Sequence, residues 1–131
     1  MKQDEFIRLV IGKPWANRAC TFEKMDCWGL IVLYYRQVLG IELHEVPGYE
    51  SGNDFVTCYE SEINFWRLDA VASQHSMAVF YKGDRPDHVG VMVSPIKCLH
   101  ASRGGGFVRL DTSLNILKNH SRVEYYSYGA I

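Results

Sequence analysis

Cys27, His88 and His100 are the residues of this chain whose types and spacing can do chemistry together. A cysteine nucleophile needs a thiolate, a base to make it, and a third group to hold that base in one orientation. Cys27 follows Asp26, a good helix N-cap, and the run Asp26-Cys27-Trp28-Gly29-Leu30 opens an apolar stretch. A sulfur in the first turn of a helix meets exposed amides and the positive end of the dipole. Both favour the thiolate, and a cysteine so placed can have a pKa of roughly 3.5–7.5. The same amides can hold the oxyanion of an acyl-transfer intermediate. His88 and His100 lie on two strand-like runs separated by Ser94-Pro95, a natural turn. A hairpin centred on Ser94 sets them directly opposite one another, close enough for one imidazole to bond the other. His88 is then the base and His100 its orienter, the triad logic with histidine in the third place.

The elements that must deliver these side chains can be read from the pattern of apolar residues. Asp4 to Ile11 is predicted as a short helix, with Phe6, Leu9 and Val10 on one face and Gly12-Lys13-Pro14 as its stop. Trp15 to Met25 reads as a loop. From Asp26, the residues Cys27, Leu30, Ile31, Tyr34 and Val38 share a helical face, and Gly40 is the C-terminal cap. Gly29 inside the first turn weakens that helix by roughly 1 kcal/mol relative to alanine, but lets another backbone or a substrate come close. Ile41 to Asp54 is irregular, and a second amphipathic helix is predicted over Phe55 to Leu68. The period then changes to that of strands: Met77 to Tyr81, Val89 to Val93 with His88 on the opposite face, Lys97 to Ser102, Phe107 to Leu110 and Arg122 to Tyr128. Gly104-Gly105-Gly106 is a turn, since it has no lysine and no strand-to-helix context for phosphate, and Asn115 to Ser121 is a polar connection. Helices first and strands later give an α+β domain with a mainly antiparallel sheet.

Composition narrows the function. The 131 residues make one domain, with 47% hydrophobic and 22% charged content. A net charge of −1 removes the basic face that nucleic acid would need. No run is long enough to span a membrane, and the acidic start Met1-Lys2-Gln3-Asp4-Glu5 is unlike a signal peptide. Four cysteines without a C-x-x-C pair argue against a zinc ribbon, and a core of this size needs no disulfides. Cys20, Cys58 and Cys98 are read as small buried residues, and His44, His75 and His120 as ordinary surface or core histidines. Neither a metal nor an organic cofactor is expected. Trp15, Trp28, Tyr34 and Tyr35 read as core or groove wall, and Trp15, Trp28 and Gly29, near the sulfur, are the candidates for the surface that meets substrate.

The chain resembles the NlpC/P60 family of papain-like cysteine peptidases. The resemblance runs through Gly12-Lys13-Pro14-Trp15, Asp26-Cys27-Trp28-Gly29-Leu30, Asp87-His88-Val89-Gly90-Val91 and Leu99-His100-Ala101-Ser102. It implies a papain-like fold with Cys27 as nucleophile, His88 as general base and His100 as the third residue. It also implies a substrate, the amide bonds of peptidoglycan stem peptides. Two positions depart from the family: Trp28 stands where serine is usual, and Trp15 where a tyrosine is usual. The Asp-Cys-Trp-Gly-Leu form, with Tyr34-Tyr35-Arg36 and Gly40-Ile41-Glu42-Leu43 after it, is similar to the version in tail proteins of long-tailed bacteriophages. The expectation is therefore a cell-wall hydrolase built into a virion tail, made in the bacterial cytoplasm and neighboured by other tail-tip proteins. A structural tail-tip protein that keeps the fold without the chemistry is the alternative.

Overall fold

A computed structural model describes residues 1–43, 63–103 and 106–129. Helix α1 (Gln3–Val10) and helix α2 (Cys27–Tyr34) come first, and α2 runs on through a π-helical turn over Tyr35–Leu39. Gly40 closes it in the left-handed conformation at φ 69°, where glycine has no steric cost. A 3₁₀ turn at Ile63–Phe65 leads into six strands: β1 (Trp66–Asp69), β2 (Met77–Lys82), β3 (Arg85–Met92), β4 (Lys97–Ser102), β5 (Phe107–Thr112) and β6 (Arg122–Tyr128). A short helix α3 (Ser113–Leu117) connects the last two. The strands form one antiparallel sheet in the order β1-β6-β2-β3-β4-β5. This is the α+β architecture that the order of elements predicted.

The sheet has a core on each side. Met77, Val79, Val89, Val91, Leu99 and Ala101 face α1 and α2. Ala78, Phe80, Met92 and Cys98 face the other way, onto Ile116 of α3. Alternate strand residues therefore feed both layers, which is why Met77 to Tyr81 is apolar without a break. Helix α2 is buried on every side: all eight residues from Cys27 to Tyr34 are in the core. The single apolar face read from the sequence is thus too narrow, because Trp28, Val32 and Leu33 are covered as well.

Three further expectations change. First, the helix predicted over Phe55 to Leu68 lies partly outside the described residues, and its end is not helical. Trp66 is the first residue of β1, paired with Tyr128, and its ring packs edge-on against Tyr35 and Tyr128, each 5.1 Å away between centroids. That aromatic cluster outweighs the local helical period. His44, Cys58 and Gly104-Gly105 also lie outside the described residues. Second, residues 113–117 form α3 instead of a plain connection, because the Thr112 hydroxyl caps it by accepting from the Asn115 amide at 3.2 Å.

Third, the hairpin register differs. Val91 pairs with Leu99 and Met92 with Cys98, so the turn centres on Pro95 and not on Ser94. The Ser94 hydroxyl stabilises that turn by accepting from the amides of Ile96 and Lys97, at 3.3 and 3.1 Å. Continued, this register places His100 opposite Gly90, and His88 one diagonal step away. Even-numbered residues keep their face, so both histidines remain on one side of the sheet. Gly90 provides the room: a Cβ there would lie 2.4 Å from the Cys98 sulfur and 3.0 Å from the His100 Cβ.

Gly29 also has a packing reason. A Cβ on it would lie 2.0 Å from the Ala19 carbonyl oxygen, so the close approach is made by backbone. Helix propensity alone predicts that Gly29→Ala gains about 1 kcal/mol. The contact reverses the sign: the variant is expected to lose about 1–3 kcal/mol in urea denaturation. A more stable variant would show that the loop yields freely.

Candidate active site

The loop before α2 is tied to the helix by Asp26. One carboxylate oxygen accepts from the Gly29 amide at 2.8 Å, the N-cap bond, and the other accepts from the Arg18 amide at 2.7 Å. The Asp26 amide donates to the Ala19 carbonyl at 3.2 Å. The Cys20 thiol donates to the Gly29 carbonyl at 3.5 Å. Loop and first turn are therefore joined by four hydrogen bonds, with Cys27 in that turn.

That turn meets the sheet where β3 and β4 part. The Val93 amide bonds across to the Lys97 carbonyl at 2.9 Å, in the ladder. Val89 lies four residues back on the same side of β3, and its amide bonds the Cys27 sulfur instead. Just before it, β3 carries an extra residue: His88 pairs with Phe80 but Pro86 with Tyr81, which leaves Asp87 as a bulge. Bulges re-aim neighbouring side chains. Asp87 turns to the His120 ring at 3.0 Å and to Lys82 at 3.9 Å.

His88 Nε2 lies 2.8 Å from His100 Nδ1, a diagonal contact made in place of the directly opposed one expected. His100 Nε2 in turn lies 2.8 Å from Asp111 Oδ2. Asp111 sits opposite Cys98 on β5, again one diagonal step from His100. The three side chains form a line across three strands. Arg109 Nε donates to the same Asp111 oxygen at 3.0 Å, and Asn115 Nδ2 donates to the other at 3.4 Å. Asp111 is a residue the sequence reading missed. The strand expected over Phe107 to Leu110 runs on to Thr112 and so includes it. His120 was also missed: its ring stacks on His88 with 6.2 Å between centroids and 18° between planes.

Cys27, His88 and His100 line one cleft of about 830 Å³, together with Asp111, His120 and Trp15. The Arg103 guanidinium lies over the Trp15 ring at 4.9 Å. Trp28 does not belong to the cleft: it is fully buried in the core, since the helix turns it away from the sulfur. Gly29 is buried against Ala19 and is likewise not among the cleft residues. Both are corrections to their reading as substrate wall. His75 is structural, bonded to the Tyr34 hydroxyl at 2.6 Å and, through its carbonyl, to the Tyr35 hydroxyl. Among the described residues no three His, Cys, Asp or Glu side chains are grouped to hold a metal ion.

The electrostatics differ from the simple helix-terminus expectation. Burial pushes the Cys27 thiol up to about 12, helped by the carboxylates of Asp26 and Asp87, while backbone bonds from Val89 and Trp28 only partly offset this. Burial, then His100 and His120, pull His88 down to about 3. His100 is also lowered by burial, against the opposing bond to Asp111. Burial raises the Asp111 carboxyl, but the bonds from His100 and Arg109 outweigh it and hold it below its ordinary range. Burial thus favours the neutral form of both the Cys27 thiol and the His88 imidazole, which line the same cleft.

Residues 12–123 match the NlpC/P60 family. The chain belongs to the NlpC/P60 family. Members are generally peptidoglycan hydrolases of the cysteine peptidase type. This NlpC/P60 domain is 28% identical over 95 residues to tail tip assembly protein K of Escherichia phage N15, covering 66% of the chain and 39% of that protein. It thus spans about two fifths of the length of that relative. The fold resembles the NlpC/P60 domain of the peptidoglycan hydrolase SagA with a TM-score of 0.64 and 15% identity, over 95% of this chain and 93% of that one. It resembles NlpC2 of Trichomonas vaginalis with a TM-score of 0.65 and 17% identity, over 95% and 44% respectively. No described helix is long and apolar enough to cross a membrane.

The lowered histidines predict a stability profile. A histidine whose pKa is lowered on folding stays neutral in the fold, and the unfolded chain takes up its proton first as pH falls. The contribution of His88 is present above its ordinary value of 6.5 and is lost as pH falls toward about 3. Melting temperature should drop over that window, and His88→Gln should flatten the drop. An unchanged slope would show that His88 is not held neutral.

Proposed function

We propose that this domain is a cysteine endopeptidase that cleaves amide bonds in peptidoglycan stem peptides. Cys27 is the nucleophile, His88 the general base and His100 the residue that orients it. The observation that carries this is the 2.8 Å contact of the two imidazoles in a cleft that also holds Cys27. Family membership supports the substrate class.

In the reaction, His88 takes the Cys27 thiol proton as the sulfur attacks the peptide carbonyl carbon. The oxyanion accepts from the Cys27 amide at the helix N-terminus. The Gly29 amide does not serve, because Asp26 already occupies it. His88 then gives its proton to the leaving amine, and the C–N bond breaks to leave a thioester. Water, deprotonated by His88, attacks that thioester and releases the acid and the free thiol. Burying an uncharged pair avoids the desolvation cost of a preformed ion pair.

The N15 relative, a tail tip assembly protein, supports a reading of where this domain acts. We read the domain as part of a virion tail acting at the host cell wall, with other tail-tip proteins as neighbours. The same relative favours a second reading, an assembly part that keeps the fold without turnover. Purified peptidoglycan separates the two. The protein is expected to release stem-peptide fragments identifiable by mass, and Cys27→Ala to reduce that release by at least about 10²-fold, the lower end of what a positioned base and its nucleophile supply. Release unaffected by Cys27→Ala would sink the peptidase assignment; no release from the intact protein would leave the assembly reading.

A further inference from the structure

The line from His88 to Asp111 has a direction, and its far end fixes it. An ionised carboxylate only accepts hydrogen bonds. Asp111 is held ionised by the donors around it, Arg109 at 3.0 Å and Asn115 at 3.4 Å. His100 Nε2, 2.8 Å from Asp111 Oδ2, must therefore carry a hydrogen. A neutral imidazole carries one such hydrogen and presents one lone pair. His100 Nδ1 is then the lone pair, and it accepts. His88 Nε2, 2.8 Å away, must donate to it. The hydrogen of neutral His88 is thereby committed to Nε2, and Nδ1 is left bare.

We propose that Asp111 is a positioning residue: across β4 it sets the tautomers of both histidines, so that His88 offers its Nδ1 lone pair as the base. Asp111 touches neither the sulfur nor His88, and acts only through His100. The burial of His100, 5% exposed, strengthens the constraint, since little water reaches the ring to substitute for the carboxylate. This rests on His88 being the base of the proposed reaction.

The argument depends on an acceptor at the Asp111 position and not on its charge alone. In Asp111→Asn the amide oxygen faces Arg109 and His100, because an amide nitrogen there would meet two donors. That variant keeps the tautomers. In Asp111→Ala the acceptor is gone, His100 can shift its hydrogen to Nδ1, and His88 then carries its own on Nδ1.

Two measurements test this on the folded protein at pH 7: imidazole ¹⁵N NMR for the tautomers, and iodoacetamide alkylation of Cys27 followed by peptide mass. In the wild type both rings should be protonated at Nε2. Asp111→Asn should keep that pattern and an alkylation rate within about threefold of wild type. Asp111→Ala should show the Nδ1-protonated form of His88, with alkylation slowed about tenfold, part of the roughly 10²–10⁴ a positioned base supplies. Two results would each overturn the proposal. One is a wild-type His88 protonated at Nδ1, which decides the matter even if Asp111→Ala does not fold. The other is Asp111→Ala with His88 tautomer and alkylation rate both unchanged. Neither readout uses peptidoglycan, so the tautomer assignment and the hydrolase reading can fail separately.

Discussion

The cleft depends on how the first turn of α2 is held against β3. A buried helix terminus leaves amides without partners unless side chains or neighbours supply them. Here Asp26 takes the Gly29 amide, and the same carboxylate pins the preceding loop through Arg18. The Val89 amide, left over where β3 separates from β4, takes the Cys27 sulfur. These two orphan amides, one from the helix end and one from the strand, thus each find a partner. The position of the sulfur is therefore set by backbone on both flanks, and not by the rotamer of one exposed side chain.

The same burial determines the charge state. A helix N-terminus favours a thiolate, but the loss of solvent opposes it, helped by the carboxylates of Asp26 and Asp87, and the thiol is pushed up. The histidines respond in the same sense: burial makes them neutral. Neutral side chains are cheaper to bury than charged ones, and the packing at the histidines is tight: the glycine at position 90 admits the Cys98 sulfur and His100. In the proposed reaction, the base must then be in its competent tautomer before substrate arrives. This places unusual weight on the hydrogen bonds behind His88.

Much of this was legible in the chain. The Asp26 cap, the Gly40 stop and the strands at Lys97–Ser102 and Arg122–Tyr128 follow from local rules, and the structure has them at those residues. That both histidines share a face follows from strand parity alone, and survives a register error of two residues. What local rules missed has long-range causes. Trp66 is a strand residue because Tyr35 and Tyr128 wait for it, and neither is near it in sequence. Trp28 looked like substrate wall because it neighbours Cys27, yet one helical step turns it into the core. His120 joins the site only through the packing of the segment that follows α3.

The sequence by itself determined that a cysteine opens α2 and which strand face the two histidines share, because N-cap chemistry and the two-residue period of a strand act over a few positions. Only the tertiary structure decided their partners. The diagonal steps from His88 to His100 to Asp111 depend on where two turns centre, and the neutrality of the site depends on how much solvent the sheet and helices exclude. Both are sums over contacts distant in the chain, which no local pattern contains.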